Sequence, residues 1–325
     1  MSARDDVKPR PVILLMGPTA AGKTDLAISL AGQFPVEIVS VDSAMVYRGL
    51  DIGTGKPDSA TLQRFPHHLV DILDPAQSYS AGQFVRDARA AIDAIHSRGN
   101  VPMLVGGTML YFRALRGGLA DLPEANPVVR VQIDARGAEV GWPAMHAELA
   151  SIDPQAANRI QPNDAQRIQR ALEVFRLTGR TLSEWHASAA PPPGDLSFAS
   201  YAWVPADRER LYAAIALRFD KMMQAGLLEE VRRLQARGDL HDRLPAIRSV
   251  GYRQLWQHLT QQVPLNAAVA NAIIATRHLA RRQLVWLRGD RAIERGTNWM
   301  DALDSDSHAQ MHRNVADICS AAARK

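Results

Sequence analysis

Short apolar runs alternate with helix-like segments over the first third of the chain, and the pattern returns once later. Such runs, rich in β-branched residues and bounded by glycine, proline or polar residues, are typical of buried strands. We predict strands at residues 12–16, 35–41, 68–73, 101–105 and 201–204. A helical segment at 82–98 ends at Gly99, a common helix stop. The alternation predicts an α/β fold with a parallel sheet flanked by helices, which binds its ligands at the carboxyl ends of the strands.

The pattern changes near residue 122, where strand signals stop. Residues 122–194 carry short helical segments and loops and close with a stiff proline-rich connector at 189–194. Long helical patterns follow at 208–225, 227–237 and 267–288. We therefore divide the chain into a first part of the core at 8–121, an all-helical insertion at 122–194, a completion of the core at 195–296 and a variable polar tail at 297–325.

Composition indicates more about the size of the core and the cellular compartment than about the function. A chain of 325 residues with 46% hydrophobic content can bury a large core. It has no apolar run of the ~20 residues that cross a membrane, and its first residues lack the apolar centre of a secretory signal. The single cysteine, Cys319, suits a reducing compartment, so we expect a cytoplasmic protein. A net charge of +4 is too small to indicate nucleic-acid binding without local clusters.

The clearest motif follows the first predicted strand and opens a helix. It has the spacing of a phosphate-binding P-loop, in which backbone N–H groups and the helix dipole hold an anion. Its residues are Gly17, Pro18, Thr19, Ala20, Ala21, Gly22, Lys23 and Thr24. The lysine would reach the outer phosphate and the threonine hydroxyl would ligate Mg²⁺. The core is therefore predicted to resemble P-loop NTPases.

Two other strand ends carry polar residues. Asp42 ends the second strand, where a carboxylate either holds the metal indirectly or accepts a proton from a substrate, and its position does not decide between these roles. Thr108 follows Gly106 and Gly107 at another strand end and has a use only if it lies near Asp42. The adjacent pair at 67–68 is a poor metal site, because neighbouring side chains of a strand point to opposite faces.

Arginines form two groups later in the chain. On a predicted helix of the insertion, Arg167 and Arg170 lie beside two glutamines. Taken alone, this set is typical of an ordinary solvent-exposed helix surface. On the helix at 267–288, Arg277, Arg281 and Arg288 fall within about 40° of one another, and no acidic residue occurs between positions 266 and 289. We expect this face to bind an anionic ligand and the opposite face, with Leu279 and Trp286, to pack.

Taken together, the motifs resemble those of the tRNA dimethylallyltransferases, also called tRNA isopentenyl transferases. The resemblance spans about residues 12–288. The P-loop is shared with many NTPases, whereas the ordered set is specific to this family. It comprises residues 17–24, 42–43, 51–57, 67–72, 106–108, 167–173, 248–253 and 282–288. The chain departs from the family at Arg281, where lysine is usual, and at Met45, often glutamine.

The resemblance implies transfer of a dimethylallyl group from its diphosphate to the exocyclic amine of the adenosine 3′-adjacent to a tRNA anticodon. It implies Asp42 and Thr108 as catalytic residues, the P-loop as the diphosphate site and Thr24 as the Mg²⁺ ligand. It implies a tRNA surface formed by Asp42, Ser43, Ala44, Met45, Thr108, Arg130, Gln166, Arg167, Ile168, Gln169, Arg170, Arg248, Ser249, Val250, Gly251, Tyr252, Arg253, Arg281, Arg282, Gln283, Leu284, Val285, Trp286, Leu287 and Arg288. The insertion would bind the anticodon stem-loop. We expect a monomer without a membrane partner.

Other P-loop proteins remain alternatives at this point. A small-molecule or nucleotide kinase would use the same loop, but would not need a ~70-residue insertion and an arginine-faced helix. A prenyltransferase acting on a free adenine nucleotide would also lack an extended RNA surface. A regulatory GTPase would need an Asn-Lys-x-Asp element, and the sequence has no Asn-Lys or Thr-Lys pair. A non-catalytic RNA-binding module would not need Lys23 and Thr24.

Overall fold

The computed structural model describes residues 9–118, 120, 122–188, 193–294 and 296–324. The chain divides into two compact units: a core unit, in which residues up to 116 join those from 193 onward, and an insertion unit at 117–192. The insertion had been expected at 122–194. Of the connector expected at 189–194, only residues 193–194 lie within the described part.

The core unit contains one sheet of six parallel strands. They are β1 (Arg10–Met16), β2 (Val36–Val41), β3 (His67–His68), β4 (Val101–Gly106), β5 (Leu196–Val204) and β6 (Thr297–Asp301). Their spatial order is β3-β2-β4-β1-β5-β6, and every pairing is parallel. The predicted parallel α/β sheet is confirmed. Helices cover both faces, so the central strands are apolar throughout.

The core unit carries its helices before and after the insertion. The first group is α1 (Lys23–Ala31), α2 (Ser59–Arg64), α3 (Ala81–Ser97) and α4 (Met109–Gly117). The insertion unit holds α5 (Pro127–Val140), α6 (Trp142–Ile152), α7 (Pro154–Ala157), α8 (Ala165–Thr178) and α9 (Leu182–Ala187). The last group is α10 (Arg208–Gln224), α11 (Leu227–Ala236), α12 (Tyr252–Gln261), α13 (Leu265–Gly289), α14 (Arg291–Glu294) and α15 (Ser305–Ala323).

Apolar side chains on both faces of the sheet form the main core. Phe84 of α3 and Phe112 of α4 pack on one face, and Leu30 of α1 and Val315 of α15 pack on the other. A further cluster joins α11, α12 and α13 to the segment at 46–50. The sheet and the segment at 46–50 therefore lie on a well-packed support.

Two predictions about the core unit are wrong. In place of the strand expected at 68–73, the structure has the two-residue strand β3 (His67–His68), because the backbone turns into the left-handed region at Leu69 (φ 63°) and Asp71 (φ 57°). The polar tail expected at 297–325 adds β6 to the sheet and carries α15. The tail is polar in composition, but Met311, Val315 and Cys319 repeat at i, i+4 and i+8 and are buried.

The insertion unit is a small helical bundle with its own core. Ile133 of α5, Leu149 of α6, and Ile168 and Leu172 of α8 are buried together. Glu173 of α8 is also fully buried, and its carboxylate is bound by the guanidinium groups of two arginines described below.

Candidate active site

Three loops meet at the carboxyl edge of the sheet because the strand registers align there. Met16 of β1 and Val41 of β2 both pair in register with Gly106 of β4. The residues that follow are Gly17, Asp42 and Gly107, so the P-loop, the aspartate and the glycine pair lie side by side. Parallel strands end at the same edge, which is why sequence alone could anticipate this meeting.

The P-loop has the backbone geometry of an anion nest. Ala20 (φ 62°) and Gly22 (φ 76°) both lie in the left-handed region, and α1 begins at Lys23. Alternating backbone conformations of this kind turn successive N–H groups toward one point. Alanine is rarely found at positive φ, and such strain is concentrated at binding sites. The loop therefore has the backbone geometry expected of an anion-binding site.

Arg218 of α10 is a site residue that the sequence analysis missed. Its Nη2 donates to the carbonyl oxygen of Thr54 at 2.9 Å and its Nη1 to Oγ1 of Thr19 at 3.4 Å. The guanidinium thus lies against the P-loop. The sequence offers one signal: Arg218 directly precedes Phe219, which belongs with Leu211 and Ile215 to the apolar stripe of α10. This position places the arginine beside the buried face of the helix.

The two cations of the site lack anionic partners. Within the described residues, no carboxylate oxygen lies within 4.0 Å of Lys23 Nζ or of the Arg218 guanidinium. The Lys23 ammonium donates instead to the Pro18 carbonyl oxygen at 2.6 Å. The pKa of Lys23 is lowered to about 7, mainly by burial and also by the nearby Arg218 charge, while Asp42 partly opposes both effects. Burial likewise lowers the pKa of Arg218. A bound anion would stabilise both charges.

Asp42 and Thr108 lie next to each other, as a joint role requires. Asp42 Oδ1 accepts hydrogen bonds from the backbone N–H groups of Ala44 (2.8 Å) and Met45 (3.2 Å). Among the described residues these are its only hydrogen bonds, so Oδ2 is available to a substrate. Thr108 Oγ1 accepts from the Ser43 N–H at 3.2 Å. The carboxylate is therefore held in position by its own turn and next to the threonine.

Two cavities open onto this edge. The P-loop cavity, of about 560 Å³, contains Lys23, Thr24 and Arg218 in its wall. The α13 cavity, of about 420 Å³, is lined by Thr108, residues of α13 and polar residues near 248. The two share the wall formed by Thr19, Ala20, Asp42, Thr54, Gly107, Arg218 and Gln283. A group held by the P-loop and one held against α13 would meet at Asp42.

Helix α13 presents different faces from those expected. Leu279 and Trp286 both line the α13 cavity, and Trp286 also packs against the main core, as expected for that residue. The buried residues of α13 include Ala272, Gln283 and Leu287. They lie about 60° around the helix axis from the face that carries Leu279 and Trp286. Arg277 does not extend freely, because its guanidinium stacks over the Tyr212 ring at 5.2 Å.

Several residues predicted to contact tRNA either line the α13 cavity or are exposed to solvent. Arg248, Ser249, Val250, Arg282 and Trp286 line the α13 cavity. Arg253, Arg281, Val285 and Arg288 are exposed, as are Gln166 and Arg167 of the insertion unit.

Other members of that set serve the interior. The side chains of Ile168 and Leu287 are buried, which corrects the expectation that they contact tRNA directly, whereas Tyr252 is also buried but lines the α13 cavity. They support the surfaces that carry their neighbours.

Two arginines of the insertion unit, Arg130 and Arg170, are paired with a carboxylate, unlike Arg218 of the P-loop cavity. Arg130 Nε donates to Glu173 Oε1 at 2.9 Å, and Arg170 Nη1 donates to Oε2 at 2.6 Å. Burial alone would raise the pKa of Glu173, but the hydrogen bonds from Arg130, Arg170 and the Asn126 N–H outweigh it and hold that pKa below its usual range. Gln169 donates to Asp134.

The loop at 51–57 has a structural role that its motif did not reveal. Glu230 of α11 is buried, and its carboxylate accepts the backbone N–H groups of Asp51, Ile52 and Gly53 and the Tyr252 hydroxyl. The loop in turn supplies the Thr54 carbonyl that holds the guanidinium in the P-loop cavity. The Lys56 side chain is buried, and its ammonium pairs with the carboxylates of Asp51 and Asp71, which are exposed.

The residues present fit a magnesium ion that would be held mainly by the phosphate oxygens of a bound molecule and only partly by the protein. The described residues contain no cluster of three histidine, cysteine, aspartate or glutamate side chains suited to a metal. Thr24 lines the P-loop cavity together with Asp25, and one protein hydroxyl beside phosphate oxygens is a usual Mg²⁺ environment. His68 pairs with Glu37, whereas His67 Nδ1 donates to the Phe65 carbonyl oxygen and the residue lines the P-loop cavity.

Comparison with known proteins gives one consistent picture. A family model described as IPP transferase matches residues 45–290, and one described as isopentenyl transferase matches residues 10–71. The chain is 54% identical over 315 residues to the tRNA dimethylallyltransferase of Bordetella petrii, covering 95% of this chain and 98% of that protein. The described part of the chain contains no helix that is both long and apolar enough for a membrane span.

Solved structures agree with these matches. The crystal structure of the tRNA isopentenylpyrophosphate transferase of Bacillus halodurans has a TM-score of 0.68 and 33% identity, and covers 98% of this chain and 99% of that one. A eukaryotic dimethylallyltransferase acting on tRNA has a TM-score of 0.78 and 26% identity, and covers 94% of this chain and 78% of that one.

Proposed function

The chain belongs to the IPP transferase family, and we propose that it transfers a dimethylallyl group from dimethylallyl diphosphate to the exocyclic amine of the adenosine 3′-adjacent to a tRNA anticodon, releasing diphosphate. Relatives that are 54% and 56% identical to it carry the name tRNA dimethylallyltransferase. We further propose that it acts as a monomer in the cytoplasm.

The observation that carries this proposal is a pair of cations without a carboxylate within 4.0 Å among the described residues, one of which, Arg218, lies in the wall common to the two cavities. Lys23 and Arg218 flank the P-loop nest, and Asp42 lies in the wall common to both cavities. A leaving group that accumulates negative charge is stabilised by such preorganised donors. A kinase would need the same cations, but a second cavity beside a tethered carboxylate suits an incoming nucleophile.

In this proposal the donor's diphosphate binds in the P-loop cavity. Backbone N–H groups of the nest, the Lys23 ammonium and the Arg218 guanidinium donate to its oxygens as the bond to the dimethylallyl carbon breaks. Mg²⁺, ligated by the Thr24 hydroxyl and phosphate oxygens, would neutralise part of the diphosphate charge.

The acceptor enters through the α13 cavity. An adenine stacked within the anticodon loop cannot reach a recessed site, so the base must be flipped out. Its amine is a weak nucleophile because the lone pair is delocalised into the ring. Asp42 Oδ2 accepts a hydrogen bond from the amine and then its proton as the new C–N bond forms. Thr108, beside it, helps to orient the base.

The test is a transfer assay with radiolabelled dimethylallyl diphosphate and unmodified tRNA, run beside reactions with ATP and small-molecule acceptors. We expect label in the tRNA only. A second tRNA with guanosine in place of the target adenosine controls for the acceptor position and should stay unlabelled. Turnover of ATP without labelling of tRNA would contradict the proposal and favour a kinase.

A further inference from the structure

Gln283 of α13 links two catalytic loops through its side-chain amide. Its Oε1 accepts from the Thr19 backbone N–H at 2.9 Å, and its Nε2 donates to the Gly107 carbonyl oxygen at 2.9 Å. The residue is only 9% exposed and belongs to the wall of both cavities. A single side chain thus connects the P-loop to the loop that follows β4.

The chemistry of the contact requires an amide. One partner is an N–H and the other a carbonyl, so the side chain must accept at one atom and donate at the other. The contact is also close, because a Cβ built on Gly107 would lie 2.2 Å from Gln283 Nε2. Glycine at 107 and glutamine at 283 therefore fit each other.

The two residues joined in this way each hold a further group of the site. Thr19 accepts from Arg218 through its hydroxyl, and Gly107 is followed by Thr108, whose hydroxyl accepts from Ser43 beside Asp42. Gln283 therefore connects the cationic side of the junction to the carboxylate side.

We propose that Gln283 is a positioning residue that sets the distance between the diphosphate held by the P-loop and the acceptor amine held by Asp42. The inference rests on the proposed transfer reaction. Gln283 itself carries out no proton transfer, and its contribution is the geometry in which the reacting atoms meet. A misplacement of about 1 Å can lower a rate by about 10²-fold.

The experiment measures kcat and KM for tRNA prenylation together with pyrophosphate affinity by calorimetry. Gln283→Met keeps the volume and removes both hydrogen bonds. We expect kcat to fall roughly 10- to 100-fold, while the pyrophosphate Kd and the KM for tRNA stay within about threefold. The matched control is Gln254→Met, because Gln254 is also buried, with 5% exposure, and also accepts from a backbone N–H, yet lies outside both cavities. It should lose stability and keep its kcat.

A second variant keeps the inference testable if the first does not fold. Gly107→Ala disturbs the same contact from the other side and should reproduce the loss in kcat with pyrophosphate binding retained. An unchanged kcat in both variants would overturn the inference, and so would an equal loss of pyrophosphate binding, which would make Gln283 part of the diphosphate site. Failure of the wild-type protein to label tRNA would instead contradict the proposed function.

Discussion

The P-loop cavity and the insertion unit treat buried charge in opposite ways. In the cavity, Lys23 and Arg218 lie close together with no carboxylate within 4.0 Å among the described residues, and burial lowers the pKa of both. In the insertion unit, the buried Glu173 carboxylate is bound by two arginines and a backbone N–H. One region leaves charges for a ligand to neutralise, whereas the other neutralises its own.

This difference separates binding residues from structural ones better than residue type does. An isolated buried charge is costly, so a fold retains one only where a ligand compensates for it. A paired buried charge is costly to break but reveals no ligand. The sequence shows arginines in both regions, and only their partners distinguish them.

The largest effect should follow from Asp42→Asn. Asparagine Oδ1 still accepts from Ala44 and Met45, so the turn is kept, while the atom that faces the amine can no longer take a proton. We expect tRNA labelling to fall by about 10²- to 10⁴-fold with pyrophosphate affinity within about threefold of wild type. Equal losses of both would assign Asp42 to the metal instead.

The paired region should be sensitive to loss of its anion. Glu173→Gln leaves two guanidinium groups beside a neutral amide, and we expect the insertion unit to lose roughly 3 kcal/mol of stability. Hydrogen exchange of peptides from α5 and α8 measures this locally, and peptides of the core sheet serve as the internal control. The pKa of Glu173 is lowered in the folded state. The hydrogen-exchange protection of the wild type should therefore be full above the unfolded pKa of Glu173. As the pH falls below that value, the protection should decline toward the protection seen in the variant. Equal protection in both proteins at neutral pH would show that the pairing adds no stability.

In the P-loop cavity, removal of a buried charge should raise the stability of the protein instead of lowering it. Lys23 has a folded pKa of about 7 and an unfolded value near 10.5, so the unfolded chain binds more protons between these pH values and the stability of the ligand-free protein rises with pH there. Lys23→Met removes this cost and should raise the Tm by roughly 5 °C at pH 7 while abolishing pyrophosphate binding. A lower Tm would mean that the ammonium stabilises the empty loop.

The same shift predicts the pH dependence of binding. Pyrophosphate attracts the protonated Lys23, so affinity should fall several-fold as pH rises from 6.5 to 8.5. Calorimetry of Lys23→Arg, which stays charged, controls for the titration of pyrophosphate itself and should show a flatter profile. Identical profiles would contradict the lowered pKa.

The smallest effect concerns the exposed arginines of α13. Arg281→Gln with Arg288→Gln should weaken tRNA binding and reduce its salt dependence by up to about one unit per lost phosphate contact, without changing pyrophosphate affinity. Arg277 is left intact because it stacks on Tyr212. A salt slope like that of the wild type would exclude these residues from the RNA surface.

Local patterns were enough to predict most of the sheet and the meeting of its loops. Apolar runs predicted β1, β2, β4 and β5, and parallel strands place their carboxyl ends together, so the P-loop, Asp42 and Thr108 could be grouped in advance. The tail and β3 were mispredicted, since three buried residues in a polar helix and two left-handed residues after His68 give little signal.

The sequence by itself determined the chemistry available to this protein, because a P-loop and an aspartate at a strand end are defined by short segments. Only the tertiary structure decided which charges stay unpaired and which residues span loops. Arg218 lies 199 positions from Thr19 and Gln283 lies 264 positions from it, and both reach it only when the helices pack on the sheet. Such contacts depend on side-chain direction across packed elements, which no local pattern encodes.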